Sequence, residues 1–578
     1  MGERIIRVNM SNLTTTSEPV PAGWAALGGR ALTSTIISAE VPPTCDALGM
    51  HNKLVFAPGL LTATVAANSG RLSAGFKSPL TGGIKESNAG GTAGQNMERL
   101  GIKALIIEGM PREDKWYSIH ISKDGAAIKE DGEYIGKGNY ELFKSISEKM
   151  GRKTGVLAIG PAGEFRMSSA NISAKDPDGN IRSHGRGGGG AVMGSKKIKY
   201  ITIDDAGGPG VTLADPEKFK QQARIFAKAM LDYPVTGHGL PTYGTNIMVN
   251  IVNEAGAFPV HNFRRGHWEQ ENADKISGET MHDVIVSRNG NPSHGCQAGC
   301  IIKCSQVYPD NEGNYVTAGF EYETIQLLGA NSLIADLDII AKCDWVMDDI
   351  GIDSIEGSVV INVAMEAGIL PWGDGKETFR LLNEEIRYGT PLGRILGNGA
   401  GAVGRAYGIT RVPVVKNQAI PAYDPRTIRG FGITYATSTM GADHTAGYAI
   451  ATNILKIGGF VEPLKNEGQV DLSRNLQIAT AAVDSTGLCL MVAFPALDVP
   501  ECFSAIYEMI NARYGLTLTA NDVAELGKYV LKTEYAFNQA AGFSNVHDRL
   551  PEFFDEPLPP HNIGWNYPSE EIDEFWNF

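Results

Sequence analysis

Three of the chain's seven cysteines, Cys296, Cys300 and Cys304, fall within the segment HGCQAGCIIKC, each four residues from the next. On a helix that spacing puts the thiols on one face, about 6 Å apart along the axis. Three thiolates so aligned can hold several corners of an iron–sulfur cube, the fourth ligand coming from elsewhere. Structural zinc favours paired CxxC knuckles, and no second one follows. The plain alternative is three cysteines on the core side of a helix. A helix across 296–304 is therefore expected, with a cluster as its most informative use. In DSTGLC, Asp484 stands five residues before Cys489. That carboxylate can accept from ring N–H groups of a heterocycle, and Cys489 can supply the missing cluster ligand, although a cysteine in an apolar run is commonly core.

Two glycine-rich stretches come next. GRGGGGAVMGSKK, residues 185–197, offers consecutive backbone N–H groups beside Arg186, Lys196 and Lys197, which suits a phosphate; a tight turn is the alternative. It is no Walker A loop, because Ser195 precedes Lys196, and it lacks the strand and later acid of a dinucleotide fingerprint. Residues 68–94, NSGRLSAGFKSPLTGGIKESNAGGTAG, place Arg71 and Lys77 among glycines and read either as a ligand cradle or as glycine-rich hairpin loops. Acid/base candidates are Glu321 and Glu323 in FEYET, and Asp443 and His444 in GADHT.

These residues need elements to hold them. Up to about residue 205 the runs are short, rich in Ile, Val and Tyr, and punctuated by glycine, as in RIIRVNM, KLVFAPG, KALIIEG, WYSIHIS and KKIKYITID. After AGGPG (206–210) helices dominate, over 215–232, 244–255, 334–350, 376–388, 473–483, 500–513 and 519–537. The first opens at Asp215-Pro216-Glu217, the last in capping-box spacing at Thr519 and Asp522. The fold class is α+β, with a β-rich domain over 1–208 and mainly helical domains over 209–410 and 411–578. No internal repeat is legible. The aromatic tail beyond Leu550 is expected to pack on the body. Glycine is 69 of 578 residues, well above the average near 7%. A net charge of −14 argues against nucleic acid and anionic membranes as partners. With no run of about 18 apolar residues and no signal-peptide pattern, a cytoplasmic protein without membrane insertion is expected.

Taken together, SGR, FKSPLTG, SNAGG, GRGGGGAVMGSKK, the three-cysteine segment, EYET, GIDS, PAYDPR, ADH, DSTGLC and EPLP occur in an order that resembles the tungsten-containing aldehyde:ferredoxin oxidoreductase family over nearly the whole chain. The resemblance implies a β-rich base carrying a tungsten bis-pyranopterin cofactor, covered by two helical domains, with one 4Fe–4S cluster beside it. Tungsten is preferred over molybdenum, and Mg2+ can bridge the pterin phosphates. Carried over by motif, Cys296, Cys300, Cys304 and Cys489 bind the cluster, and Arg71 bridges cluster and pterin. Asn88, Ala89, Gly90 and Gly91 lie against one pterin; Arg186, Gly187, Gly188 and Gly189 hold the phosphate region. Asp353 and Asp484 are the acidic partners of the two pterins, with a backbone contact from Leu488, and Glu321 and His444 are the acid/base residues. The implied reaction oxidises a small aldehyde to a carboxylic acid, passing electrons to ferredoxin or a small iron–sulfur subunit, in an oligomer. The CxxxC spacing departs from the CxxC of many members, Ala446 replaces a frequent basic residue, and residues 325–350 contain no histidine for an interface metal. The nearest alternative is a relative that reduces a thioester-activated aromatic ring with the same cofactor; the glycine loops alone would also allow a nucleotide-binding regulatory protein.

Overall fold

The computed structural model describes residues 3–578. Its first six strands are β1 (Arg4–Asn9), β2 (Thr14–Pro19), β3 (Leu54–Pro58), β4 (Leu72–Lys77), β5 (Ile84–Ala89) and β6 (Ile102–Glu108). The next six are β7 (Tyr117–Ser122), β8 (Gly125–Glu130), β9 (Gly155–Ala158), β10 (Ile172–Lys175), β11 (Ile181–His184) and β12 (Ile198–Ile203). One sheet has the order β2-β1-β6-β3-β4-β5, the other β8-β7-β12-β9-β10-β11. Six subtracted from each label of the second sheet reproduces the first. The pairings match as well: β1 with β6 and β7 with β12 are parallel, and every other pair is antiparallel. A helix follows the second strand of each sheet (Gly29–Glu40 and Asn139–Met150), and another precedes the sixth (Ala93–Arg99 and Gly189–Ser195). The β-rich base is thus a duplicated unit, contrary to the absence of any repeat in the sequence. Strand order and register need only a matching alternation of buried side chains, which many sequences satisfy.

That alternation shapes the core. Ile6, Val8, Leu54, Phe56 and Phe76 face the second sheet's Ile119, Leu157 and Ile201 in a shared core. The opposite face of the first sheet (Ile5, Val55, Ile84, Ile106) packs on Leu32, Ile36 and Ile37 of helix Gly29–Glu40. The matching face of the second (Val156, Ala158, Tyr200) packs on Leu142, Phe143 and Ile146 of helix Asn139–Met150. With both faces covered, β3, β4 and β12 are buried along their whole length.

The remainder is mainly helical, as expected. Asp215 caps helix Pro216–Asp232, accepting from Lys218 N, and Thr519 and Asp522 form the capping box of helix Ala520–Ala540. The tail packs on the body: Phe554, Leu558 and Phe575 are fully buried. Among the described residues no helix is long and apolar enough to cross a membrane.

One element differs from expectation. Residues 296–304 form no helix; they are an irregular loop between strands Asn291–His294 and Ser305–Pro309. Gly299 and Lys303 adopt φ of +76° and +53°, which interrupt a right-handed helix, and Gly91 N and Asn68 N bond the loop carbonyls of Cys296 and Gly299 instead.

Two glycines lock the base to the helical part. A Cβ on Gly59 would lie 2.0 Å from Gly487 N, and one on Gly160 would lie 2.2 Å from Ile350 O. Gly59→Ala and Gly160→Ala should each cost about 1–3 kcal/mol by overpacking. Thermal unfolding of the two variants checks this.

Candidate active site

Helix Leu337–Ile350 ends at Gly351 and helix Gln469–Thr486 at Gly487, both left-handed at φ of +74° and +82°. Each end carries the pattern D-x-x-G-[I/L]-[D/C]: Asp348 to Asp353 in one, Asp484 to Cys489 in the other. The duplicated base receives the two ends alike. Arg71 N, just before β4, donates to Gly487 O at 3.0 Å, and Asn171 N, just before β10, donates to Gly351 O at 2.9 Å. Arg30 and Tyr140 each stand two residues beyond a helix N-cap glycine. Arg30 Nη1 donates to Asp484 Oδ2 (3.2 Å) and Tyr140 OH to Asp348 Oδ2 (3.4 Å).

By this correspondence the counterpart of Asp484 is Asp348, which sequence reasoning missed, and Asp353 corresponds to Cys489. Asp353 caps helix Ser354–Glu366, accepting from Ile355 N and Glu356 N, and also accepts from Arg186 Nε at 3.2 Å. The recurrence of D-x-x-G-[I/L]-[D/C], six residues long in each case, was the available signal.

Both ends open on one cavity of about 400 Å³. Arg71, Asn88, Ala89, Gly90, Arg186, Glu321, Asp353, His444 and Asp484 line it, together with Cys296, Cys300, Cys304 and Cys489. The structure thus brings together cysteines from two distant segments. Five expected residues stand behind the wall. Gly91 N donates to Cys296 O, and Leu488 N donates to Thr486 Oγ1 at 3.1 Å. Gly187, Gly188 and Gly189 are packing positions, where a Cβ would lie 2.6 Å from Lys85 Cγ, 2.5 Å from Ser168 O and 2.9 Å from Phe76 Cε1. Arg186 spends its two terminal nitrogens on Ala442 O and Ala419 O, each at 2.6 Å, and so fixes the segment that carries His444.

At the cysteine end, hydrogen-bond donors gather on sulfur. Asn68 Nδ2 and Lys303 N donate to Cys300 Sγ at 3.4 and 3.3 Å, and Arg71 Nη2 to Cys489 Sγ at 3.7 Å. Arg71 Nη1 also donates to Asn88 Oδ1 at 3.0 Å, so one guanidinium joins the thiol wall to the β5 edge. Among the described residues no three His, Cys, Asp or Glu side chains converge as ligands of a single ion. Four thiols along one wall suit a polyatomic cluster better. Buried polar atoms around the cavity also lack protein partners: Arg71 Nε, Ser183 Oγ, Glu323 Oε1 and His444 Nδ1. Such atoms are rare in a finished interior and fit a polar cofactor.

The acid/base groups stand elsewhere on the wall. Glu321 precedes helix Tyr322–Leu328 and accepts from Thr245 Oγ1 at 2.5 Å, while desolvation raises its carboxyl pKa. Two residues on, Glu323 accepts from Ala422 N at 2.8 Å, and desolvation pushes its pKa up to about 8. Desolvation pushes the His444 imidazole down to about 4. His444 Nε2 lies 3.2 Å from Glu323 Oε1, off the line of a hydrogen bond. Sequence reasoning favoured Glu321 of the two glutamates; in space Glu323 is the one against His444.

The family profile described as aldehyde ferredoxin oxidoreductase, N-terminal domain, matches residues 5–205, and that described as domains 2 & 3 matches residues 222–577. The chain is 34% identical to the tungsten-containing aldehyde ferredoxin oxidoreductase of Pyrococcus furiosus, over 96% of this chain and 92% of the relative. The same identity and coverage hold for the enzyme of that name from Thermococcus kodakarensis. The WOR-like subunit of an aliphatic sulfonate oxidoreductase of P. furiosus is 25% identical, over 94% of this chain and 87% of that one. Among solved structures, the active site complex BamBC of benzoyl coenzyme A reductase with 1,5-dienoyl-CoA superposes with a TM-score of 0.81 at 19% identity, covering 99% of this chain and 92% of that one.

Proposed function

This chain belongs to the aldehyde ferredoxin oxidoreductase family of tungsten–pterin oxidoreductases, and we propose that it oxidises aldehydes to carboxylic acids. Cys296, Cys300, Cys304 and Cys489 would hold a 4Fe–4S cluster, which would supply the one-electron step to ferredoxin or a small iron–sulfur subunit. The observation that carries the reading is the pairing of a carboxyl and an imidazole, Glu323 and His444, with a second carboxyl, Glu321, in the cavity that the four cysteines share. Relatives named for aldehydes are also more similar, at 34%, than the sulfonate relative at 25%.

When bound, the tungsten–pterin group supplies a two-electron acceptor and a Lewis acid. Arg71, Asn88, Asp348 and Asp484 present donors and acceptors suited to pterin rings. Glu321 takes the proton from the water or hydrated aldehyde. Glu323 keeps a proton at neutral pH, so no negative charge stands beside His444 Nε2; the neutral ring presents Nδ1–H to the substrate oxygen as that oxygen gains charge.

This assignment has a pH signature. The ionised Glu321 is required, so the rate falls as pH drops through its raised pKa. The protonated Glu323 is required, so the rate falls again as pH rises through about 8. Glu323→Gln cannot ionise, and its kcat profile should lose the alkaline limb. Metal analysis of the purified protein, with dye reduction by aliphatic and aromatic aldehydes, tests the reaction itself. Tungsten-replete protein that ignores aldehydes but reduces an aromatic thioester would reassign it.

A further inference from the structure

The two halves of the duplicated frame end differently. Behind Asp484, Arg30 turns inward: its Nε and Nη2 donate to Glu534 at 2.9 and 2.8 Å. Glu534 is fully buried and also accepts from Ser34 Oγ and Thr439 Oγ1 at 2.8 and 2.6 Å. That half closes in a buried ion pair in which all three Arg30 nitrogens are hydrogen-bonded to carboxylates, and it leads nowhere. Behind Asp348, the position of Arg30 is taken by Tyr140. The Tyr140 hydroxyl donates to Asp348 Oδ2 at 3.4 Å and lies 3.4 Å from the hydroxyl of Tyr315, a residue at the protein surface. Trp345 stacks on Tyr140, ring centroids 5.5 Å apart and nearly parallel, and holds the ring in place. One helical turn before Asp348, Asp344 also lines the cavity, with Oδ2 accepting from Thr317 Oγ1 at 2.7 Å.

We infer that Asp344, Asp348, Tyr140 and Tyr315 form the path by which protons pass between the catalytic cavity and solvent. The inference rests on the aldehyde-oxidising reading. In that reaction RCHO and H2O give RCOOH, two protons and two electrons; the electrons go to an iron–sulfur acceptor on the cysteine side, and the protons need an exit of their own. Carboxyl and phenol groups both donate and accept, so a proton entering at one end can release another at the far end. Desolvation raises both carboxyls, that of Asp344 to about 7, where a group can take up and give back protons near neutrality. Asp344 and Asp348 line the same cavity as Glu321, so a proton released there can reach the path through the cavity.

Tyr140→Phe removes one hydroxyl and keeps the stack on Trp345, and Asp344→Asn keeps the side-chain shape. In the metal-replete holoenzyme with excess dye, each should lower kcat about tenfold, enlarge the solvent deuterium isotope effect, and be rescued in part by small weak acids. As a readout apart from turnover, the infrared band of buried carboxylic acid should exchange more slowly in D2O in Tyr140→Phe. Wild-type kcat, isotope effect and exchange in both variants would overturn the inference, as would a loss of rate that weak acids do not rescue. Failure of the wild-type protein to oxidise any aldehyde would count against the reaction instead, and the infrared exchange would still judge the path.

Discussion

Glu321→Gln is expected to lower kcat for aldehyde oxidation by about 10²–10⁴, the usual cost of removing a general base, while tungsten, pterin and iron contents stay at wild-type values. The substitution keeps an oxygen to accept from Thr245 Oγ1 and nearly the same volume, so the fold has no reason to change. What disappears is the ability to hold a proton. Thr245→Val tests the same assignment from the other side. The Thr245 hydroxyl stabilises the ionised carboxylate, so without it the Glu321 pKa rises further and the acid limb of the rate profile moves to higher pH. Stopped-flow reduction by aldehyde on metal-replete protein measures both. A Glu321→Gln enzyme that keeps most of its rate would transfer the base role to the pair of His444 and Glu323.

The second large effect is expected from Cys489→Ser. Cys489 sits just beyond the end of helix Gln469–Thr486, its N–H bonded to Asn68 O and its sulfur facing Arg71. Serine keeps the backbone contact but is a poor ligand for iron. The variant should lose most of its iron and with it the reduction of ferredoxin, with helical content unchanged. Cys343 and Cys502 are buried and do not line the cavity, and their alanine variants should cost only about 1–2 kcal/mol with full iron. Iron analysis and EPR of the three variants decide the matter; unchanged cluster content in Cys489→Ser would remove it from the ligand set.

The sequence alone was enough for the elements and for the types of chemistry. Short runs rich in Ile and Val, as in β1 and β6, announce strands, and Asp215-Pro216 announces a helix start, because burial and capping act within a few residues of their cause. Cys296, Cys300, Cys304, Cys489, Glu321 and His444 could be singled out as candidates because few residue types can bind iron or move protons, and all six line one cavity. Only the tertiary structure decided how these parts meet. The three-cysteine segment has helical spacing, yet Asn68 and Gly91, supplied by the base, hold it as a loop. Glu323, rather than Glu321, faces His444 because Ala422 N and the turn of helix Tyr322–Leu328 orient it there. Asp348 became the partner of Asp484 only once two sheets without visible sequence likeness proved to share one strand order. Arg30 and Asp484 are 454 residues apart, and the difference between that closed half and the open one at Tyr140 rests on single side chains at equivalent positions of a duplicated frame. Backbone topology survives wide changes of side chain, whereas the chemistry at each end depends on which residue stands there and which distant neighbour it reaches.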